Sequence, residues 1–401
     1  MDYDIIIIGA GIVGLAICLK LAEADPSLRI LILEKEAAAA RHQTGHNSGV
    51  IHSGIYYTPG SLKAKNCVEG YRQLVSFCQT HDVPYEICGK LIVATRPEEV
   101  PRLEELADRG AANGLTGIKM LTPSGIRKIE PHAVGVAGIY VPQTGIVDYR
   151  AVAGKIAGLL REKNVDISFN QEVIDLRRRD GGVEVVTAGE SFSAGVVIVC
   201  AGLDSDRLAM KTSPELPLRI IPFRGEYFTL RKEKRNLVRS LIYPVPDPAF
   251  PFLGVHFTRT IGGEVEAGPN AVLAFKREGY RRGDFSFRDT RETLSWPGFR
   301  RLAREYWRPG LGEIYRSLRK RAFVSELRRL VPEIQPGDLE KGGAGVRAQA
   351  CDSHGKLLDD FYIHEDGNIL NVCNAPSPAA TSAFAIGDTI AARALKMAAK
   401  Q

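Results

Sequence analysis

No Cys-x-x-Cys pair occurs in the 401 residues, and the seven cysteines (Cys18, Cys67, Cys78, Cys88, Cys200, Cys351, Cys373) are odd in number and scattered. That argues against a thiolate metal site or a paired redox disulfide, and leaves reduced, buried thiols in a cytoplasmic protein as the expectation. No metal is expected. Long apolar runs are missing too. None approaches the roughly 18 residues of a membrane span, and the first apolar stretch, Ile5 to Ile8, follows Asp2 and Asp4 rather than a basic leader. Neither secretion nor a transmembrane anchor is expected. Internal repeats and low-complexity tracts are absent as well, so nothing points to a solenoid or a disordered linker. What is present is a chain 44% apolar and long enough for two cores. Its charge is uneven: residues 276–329 hold 16 Lys and Arg against 7 Asp and Glu, a net of +9 in a chain whose total is +6, so the remainder is −3. One basic face is implied.

The first 34 residues carry the clearest motif. Ile5-Ile6-Ile7-Ile8 reads as a strand buried on both faces, and it runs directly into Gly9-Ala10-Gly11-Ile12-Val13-Gly14. Apolar Ile12, Leu15, Ala16, Leu19 and Ala22 then recur at three and four, as an amphipathic helix requires. Gly9 permits a tight turn, Gly11 lets the backbone approach a pyrophosphate, and Gly14 lets helix and strand pack closely. The helix start at Ile12 and Val13 offers its unpaired N–H groups to phosphate. A second strand, Arg29 to Leu33, ends in Glu34, 20 residues after Gly14, where a carboxylate can accept both ribose hydroxyls; Lys35 follows. A carboxylate there disfavours a 2′-phosphate, so FAD or NAD fits better than NADP.

The stretch after Glu34 decides between those two. A polar loop, Arg41-His42-Gln43-Thr44-Gly45-His46-Asn47-Ser48-Gly49-Val50, stands where an NAD domain would enter another βα unit. Its hydroxyl and backbone donors suit a pyrophosphate and the polar edge of an isoalloxazine; an ordinary surface loop is the plain alternative. Val196 to Gly202 reads as a late strand rejoining the nucleotide sheet, with Ala201 and Gly202 at its end, and Val173 is a further expected contact. Ala379-Ala380-Thr381-Ser382 opens a C-terminal helix running to near Lys400. Small residues there leave N–H groups able to stabilise charge on the flavin N1/C2=O edge. No second Gly-x-Gly-x-x-Gly follows a strand, so a separate nicotinamide domain is not indicated.

Together these stretches resemble the flavoproteins related to D-amino-acid oxidase, which include glycine oxidase, sarcosine oxidase and glycerol-3-phosphate dehydrogenase. His46-Asn47-Ser48-Gly49-Val50-Ile51-His52-Ser53-Gly54-Ile55-Tyr56-Tyr57, Phe252-Leu253-Gly254-Val255-His256-Phe257-Thr258 with Gly268-Pro269-Asn270-Ala271-Val272, and Gly345-Val346-Arg347-Ala348-Gln349 are similar to the L-2-hydroxyglutarate dehydrogenase/oxidase family. The resemblance implies bound FAD, L-2-hydroxyglutarate as substrate, 2-oxoglutarate as product, and a quinone or oxygen as electron acceptor. That chemistry needs a base for the hydroxyl proton and a clamp for the carboxylate. His52 could be the base, a covalent flavin attachment or a structural residue; His256 is the second candidate base. Arg347, after Gly342-Gly343-Ala344-Gly345, can hold a carboxylate in a bidentate fork, the alternative being a surface salt bridge. Gly345 is expected against the flavin. Thr258 shares the strand face of His256, and the resemblance turns that face to the substrate. For the distal carboxylate Tyr56, Tyr57, Arg259 and Lys276 are available.

The expected architecture is α/β: a Rossmann-like FAD-binding domain (1–85, 150–215 and 340–401) with an inserted mixed or antiparallel sheet as substrate domain (86–149 and 216–339). Leu91 to Thr95, Ile139 to Pro142 and Glu226 to Leu230 read as strands of that sheet. Helices over 276–330 lie outside and carry Trp296, Trp307, Phe299, Tyr306, Leu311 and Tyr315 among arginines. That segment could rest on a membrane surface and admit a quinone, form an oligomer interface, or be a solvated face. No nucleic-acid motif accompanies the charge, so nucleic acid is not expected. An amine or amino-acid oxidase of the same fold, and a nucleic-acid-associated flavoprotein, are the alternatives.

Overall fold

A computed structural model of the chain describes residues 1–247 and 253–399; Phe252 of the quoted motif lies outside the described residues. The isoleucine run forms β1 (Tyr3–Ile8) at the centre of a sheet with eight strands among the described residues. β1 pairs in parallel with β2 (Ile30–Leu33) on one side and with Ser191–Val199 on the other. Asp166–Ser168 extends the parallel set beyond β2, and Ile369–Asn374 lies alongside Ser191–Val199. Unbroken apolar runs suit this sheet because both strand faces are buried, Ile5 and Ile7 under the helices and Ile6 and Ile8 against Leu176, Val183 and Val185 of the strands Val173–Arg179 and Gly182–Thr187.

Helix α1 (Ile12–Ala24) packs between the C-terminal helix Ala383–Ala398, the helix Tyr149–Glu162 and the sheet. Its expected polar face does not exist: Ile17, Cys18 and Leu21 are as fully buried as Leu15 and Ala16. A helix enclosed on all sides needs apolar residues all round.

The second sheet has nine strands among the described residues. Its spine is the antiparallel pair Leu218–Leu230 and Leu339–Asp352, running from Leu218 opposite Asp352 to Leu230 opposite Leu339 with one register shift between Glu226 and Phe228. Lys90–Ala94 joins in parallel with Leu241–Pro244 and antiparallel with Ala137–Val141, so the sheet is mixed. The strands expected near residues 91, 139 and 226 are present, the last as the end of a longer one. A boundary at 340 does not hold, because it would divide Leu339–Asp352, whose ladder hydrogen bonds all go to the second sheet.

Outside this sheet stand helices Phe287–Ser295, Pro297–Leu318 and Lys320–Leu327. The second is kinked at Tyr306, three residues before Pro309, whose ring cannot sit against the preceding turn of a straight helix. Its aromatics divide: Phe299 is buried and Trp296 donates its indole N–H to the Cys351 carbonyl at 3.1 Å, whereas Trp307, Leu311, Ile314, Tyr315 and Leu318 form one exposed stripe. Below these helices, buried Arg277 pairs with fully buried Asp206, whose Oδ2 also accepts the Ile220 N–H at 2.9 Å. The basic segment is thereby tied to the nucleotide side.

Candidate flavin and substrate site

A single cavity of about 1110 Å³ runs from the Gly9–Gly14 loop and Glu34 to His52, His256 and Arg347, and both sheets line it. At the nucleotide end the three glycines separate by cause. A Cβ on Gly9, which has φ 105°, would meet the Cys200 carbonyl oxygen at 2.5 Å, and one on Gly14 would overlap the Gly9 carbonyl oxygen. Both are demanded by the protein's own packing. At Gly11 the nearest protein atom to an added Cβ is Thr44 Oγ1, at 3.5 Å. That bareness faces the cavity and serves what enters it.

Glu34 is held stiffly at the end of β2, its Oε2 accepting the Ala10 N–H at 2.7 Å and its Oε1 the Glu36 N–H at 3.0 Å. Each oxygen keeps a second lone pair for a ribose hydroxyl. Thr44 Oγ1 accepts the Ile12 N–H at 3.0 Å, so a distant loop caps α1 while Val13 and Gly14 line the cavity. Asn47 shapes the same loop, donating to the Gln43 and Thr44 carbonyls and accepting the Gly49 N–H.

Arg41, Ser48, Val50, Val173, Ala201, Gly202, Gly345, Ala379, Ala380 and Thr381 also line the cavity. Two expected contacts, Gly49 and Ser382, lie outside the cavity lining. Gly49, with φ 67°, is pressed against the Val147 carbonyl, where a side chain would have no room. Ser382, next to the cavity-lining Thr381, is fully buried and its Cα abuts Gly70. Lys35 lines the cavity beside Glu34 while its ammonium is held by Asp204 and Glu278. Glu36, His42 and Glu278 stand close enough to share an ion. They already satisfy one another, with His42 Nε2 2.9 Å from Glu36 Oε1 and Glu278 held by Lys35.

At the far end, His256 comes from the strand His256–Arg259 and stacks on Tyr243 with ring centroids 3.8 Å apart. Its Nδ1 lies 2.8 Å from the Gly254 carbonyl oxygen, which can only accept; Nδ1 therefore carries the proton and Nε2 keeps a lone pair. Burial pulls the His256 pKa down to about 3, with Lys90 and Arg347 adding to the shift against the Gly254 bond. His52 is likewise pushed well below the ordinary value, by burial first and then by Lys90, His256 and Lys63. Both imidazoles are neutral at physiological pH. The His52 N–H donates to Thr381 Oγ1 at 3.1 Å, and that hydroxyl also meets the Tyr149 phenol at 2.8 Å. This joins the polar loop to the start of the C-terminal helix.

Arg347 projects from the spine of the second sheet into the cavity, its Nη1 3.4 Å from the Asn270 carbonyl oxygen. Burial lowers its pKa, yet a guanidinium stays charged in any protein. Tyr56 and Tyr57 line the cavity, and the Tyr56 hydroxyl is buried with no hydrogen-bond partner among the described residues, a group awaiting one. Lys276 lines the mouth. Two expectations fail here. Thr258 is buried outside the cavity with its hydroxyl 3.4 Å from that of Tyr243, which occupies the cavity-facing position. Arg259 is drawn away to Glu86.

Sequence reasoning missed Lys90 and Lys63. Lys90, 1% exposed, lies 4.1 Å from the Tyr243 ring centroid and 5.0 Å from that of Tyr56, and burial brings its pKa to about 7. A lysine heading the apolar run Leu91-Ile92-Val93-Ala94 was the available signal. Lys63, in Ser61-Leu62-Lys63-Ala64-Lys65, reads as an ordinary surface lysine; nothing in the sequence reveals its burial.

The fold and this cavity define a flavin oxidoreductase, and comparison with known proteins agrees. The family model for FAD dependent oxidoreductases matches residues 4–393, and the chain belongs to that family. It is 54% identical to the L-2-hydroxyglutarate dehydrogenase of Indibacter alkaliphilus, over 99% of this chain and 100% of the relative. It is 47% identical to the enzyme of the same name from Escherichia coli, over 100% and 94% of the two chains. Among solved structures, L-alpha-glycerophosphate oxidase from Mycoplasma pneumoniae with FAD bound shares the fold with a TM-score of 0.79 at 24% identity, over 99% of this chain and 94% of that one.

Proposed function

We propose that the protein oxidises L-2-hydroxyglutarate to 2-oxoglutarate, using FAD, and passes the electrons to a quinone or to oxygen. The observation that carries this reading is the neutral, tautomer-fixed His256 sharing a buried cavity with Arg347 and with a dinucleotide loop whose Gly11 is bare only towards that cavity. Residues 9–14, Glu34 and the 41–50 loop would hold the ADP half, and residues 379–381 the ring. Bound there, the flavin supplies the hydride acceptor.

The chain's own part is positioning and proton transfer. Arg347 holds the carboxylate next to the reacting carbon, its fork fixing the carboxylate plane. His256 Nε2 takes the hydroxyl proton as C2 becomes trigonal. An arriving dianion offsets the positive fields of Lys90 and Arg347, which raises His256 basicity when it is needed. Burial of Tyr56, Tyr243 and His256 excludes bulk water from the exchange.

The test is anaerobic bleaching of the flavin by a panel of acids. L-2-hydroxyglutarate should reduce it rapidly while glycine, sarcosine and D-amino acids leave it yellow; reduction by an amino acid alone would replace the reading with an amine oxidase.

The exposed stripe of Trp307, Leu311, Ile314, Tyr315 and Leu318, bordered by Arg304, Arg308, Arg316 and Arg319, supports a peripheral membrane contact for quinone access. No helix among the described residues is long and apolar enough to cross a membrane. Flotation with vesicles containing phosphatidylglycerol should carry the protein upward. Equal behaviour with and without vesicles would remove the membrane from the account.

A further inference from the structure

A dicarboxylate has two charged ends, and Arg347 accounts for one. We infer that Lys63 receives the distal carboxylate, and that Asp359 holds Lys63 until that carboxylate displaces it; the inference rests on the dicarboxylate reading above.

Lys63 stands in the first turn of the helix Leu62–Thr80, behind the N-cap Ser61. That end of a helix is already positive, and no acidic residue occupies the first turn to offset a buried cation. A lysine 9% exposed there is unfavourable unless it serves an anion. Its ammonium lies 5.0 Å from the Tyr57 ring centroid, and Lys63, Tyr57 and His52 line the cavity together.

Its partner is Asp359, at 2.7 Å. The pair is lopsided: the Lys63 side chain is 11% exposed and that of Asp359 is 92% exposed. The aspartate can return to water at little cost, whereas the buried ammonium needs a replacement anion before it is released. Asp359 borders the cavity, so a carboxylate arriving through it finds its own chemistry already present as a stand-in.

The ordering of charges fits a ligand anchored at both ends. The fields of Lys90 and Arg347 act on His256, and those of Lys90, His256 and Lys63 act on His52. Arg347 thus acts beside one histidine and Lys63 beside the other, with Lys90 acting on both. Among the other cations, Lys90 is buried behind the Tyr56 and Tyr243 rings, outside the cavity lining, Lys35 is engaged by Asp204 and Glu278, Arg109 by the Tyr56 carbonyl, and Lys276 is open to solvent.

The test compares holoenzyme variants on L-2-hydroxyglutarate and on L-2-hydroxypentanoate, which carries a methyl group in place of the distal carboxylate, with glutarate binding followed by the flavin absorption change. Lys63→Met should raise the diacid KM and the glutarate Kd by at least about tenfold, with kcat changed by less than about threefold and the monoacid unaffected. Lys63→Arg should retain most of the preference. Asp359→Asn should lower the diacid KM by about two- to fivefold, the worth of an exposed ion pair, and leave the monoacid unchanged. An unaltered diacid-to-monoacid ratio in Lys63→Met overturns the inference. If that variant does not fold, an unaltered diacid KM in Asp359→Asn does so instead. Wild-type holoenzyme that ignores L-2-hydroxyglutarate overturns the substrate reading, before any variant is needed.

Discussion

Gly11→Ala and Gly14→Ala add the same methyl group three residues apart, and the structure assigns them opposite consequences. Gly11 has φ −72° and ψ 169°, a conformation alanine adopts freely, and its new methyl would come no nearer to protein than 3.5 Å. The apoprotein should lose only about 0.5 kcal/mol, the difference between glycine and alanine at an N-cap. The methyl instead stands where the pyrophosphate must come, so FAD should be lost. With FAD at a hundredfold excess over Kd, the forfeited linkage is about 2.7 kcal/mol, or several degrees in Tm. At Gly14 the methyl overlaps the Gly9 carbonyl oxygen, which is fixed between strand and helix. The apoprotein should then lose about 3 kcal/mol or more. The assay is thermal unfolding of deflavinated protein with and without added FAD, beside the flavin content as purified. Gly11→Ala should melt like wild-type apoprotein and gain nothing from FAD; Gly14→Ala should melt low in either condition. A Gly11→Ala protein that keeps its flavin and its FAD-dependent Tm would refute the assignment of Gly11 to the cofactor.

Other outcomes concern the reacting end and the frame around it. Arg347→Lys should raise KM for L-2-hydroxyglutarate by about tenfold or more, since a point charge does not replace a bidentate fork; an unchanged KM in steady-state kinetics would release Arg347 from the clamp. His52 and His256 are held below the ordinary histidine pKa of 6.5, His256 at about 3, by burial first. The unfolded chain therefore takes up protons near pH 6.5 that the fold refuses, and stability present above that value drains away as pH falls towards 3. Tm measured from pH 7 to pH 4 should fall, less steeply in His256→Asn; identical slopes would take His256 out of the acid response. Arg277→Met should destabilise by about 3 kcal/mol or more, because it strands the fully buried Asp206 carboxylate. A loss under about 1 kcal/mol in denaturant titration would mean that water reaches Asp206.

The strand–glycine turn–helix fold at the start of the chain was legible because its determinants are local. Strand, glycine turn, helix and acid lie within 34 residues, and each constraint, a positive φ at Gly9, the close packing at Gly14, the acid closing β2, acts over a few bonds or one packing contact. The same locality made the strand near residue 91 and the helices after 286 readable. Only the folded chain could decide the rest. Whether Thr258 or Tyr243 faces the cavity depends on two strands crossing one sheet, and the alternation that paired Thr258 with His256 says nothing of a tyrosine covering it. That Arg259 is taken by Glu86 while Arg347 reaches the cavity is likewise a matter of which strand lies beside which. Lys63 and Lys90 carry the same charge in the sequence as any exposed lysine; their character comes from burial, which is a property of everything packed around them. Sequence alone determined the strand, glycine turn, helix and acid of a dinucleotide fold, and with them the FAD-dependent class of this protein. Tertiary structure decided which charges line the cavity, because desolvation and Coulomb interactions act through space rather than along the chain.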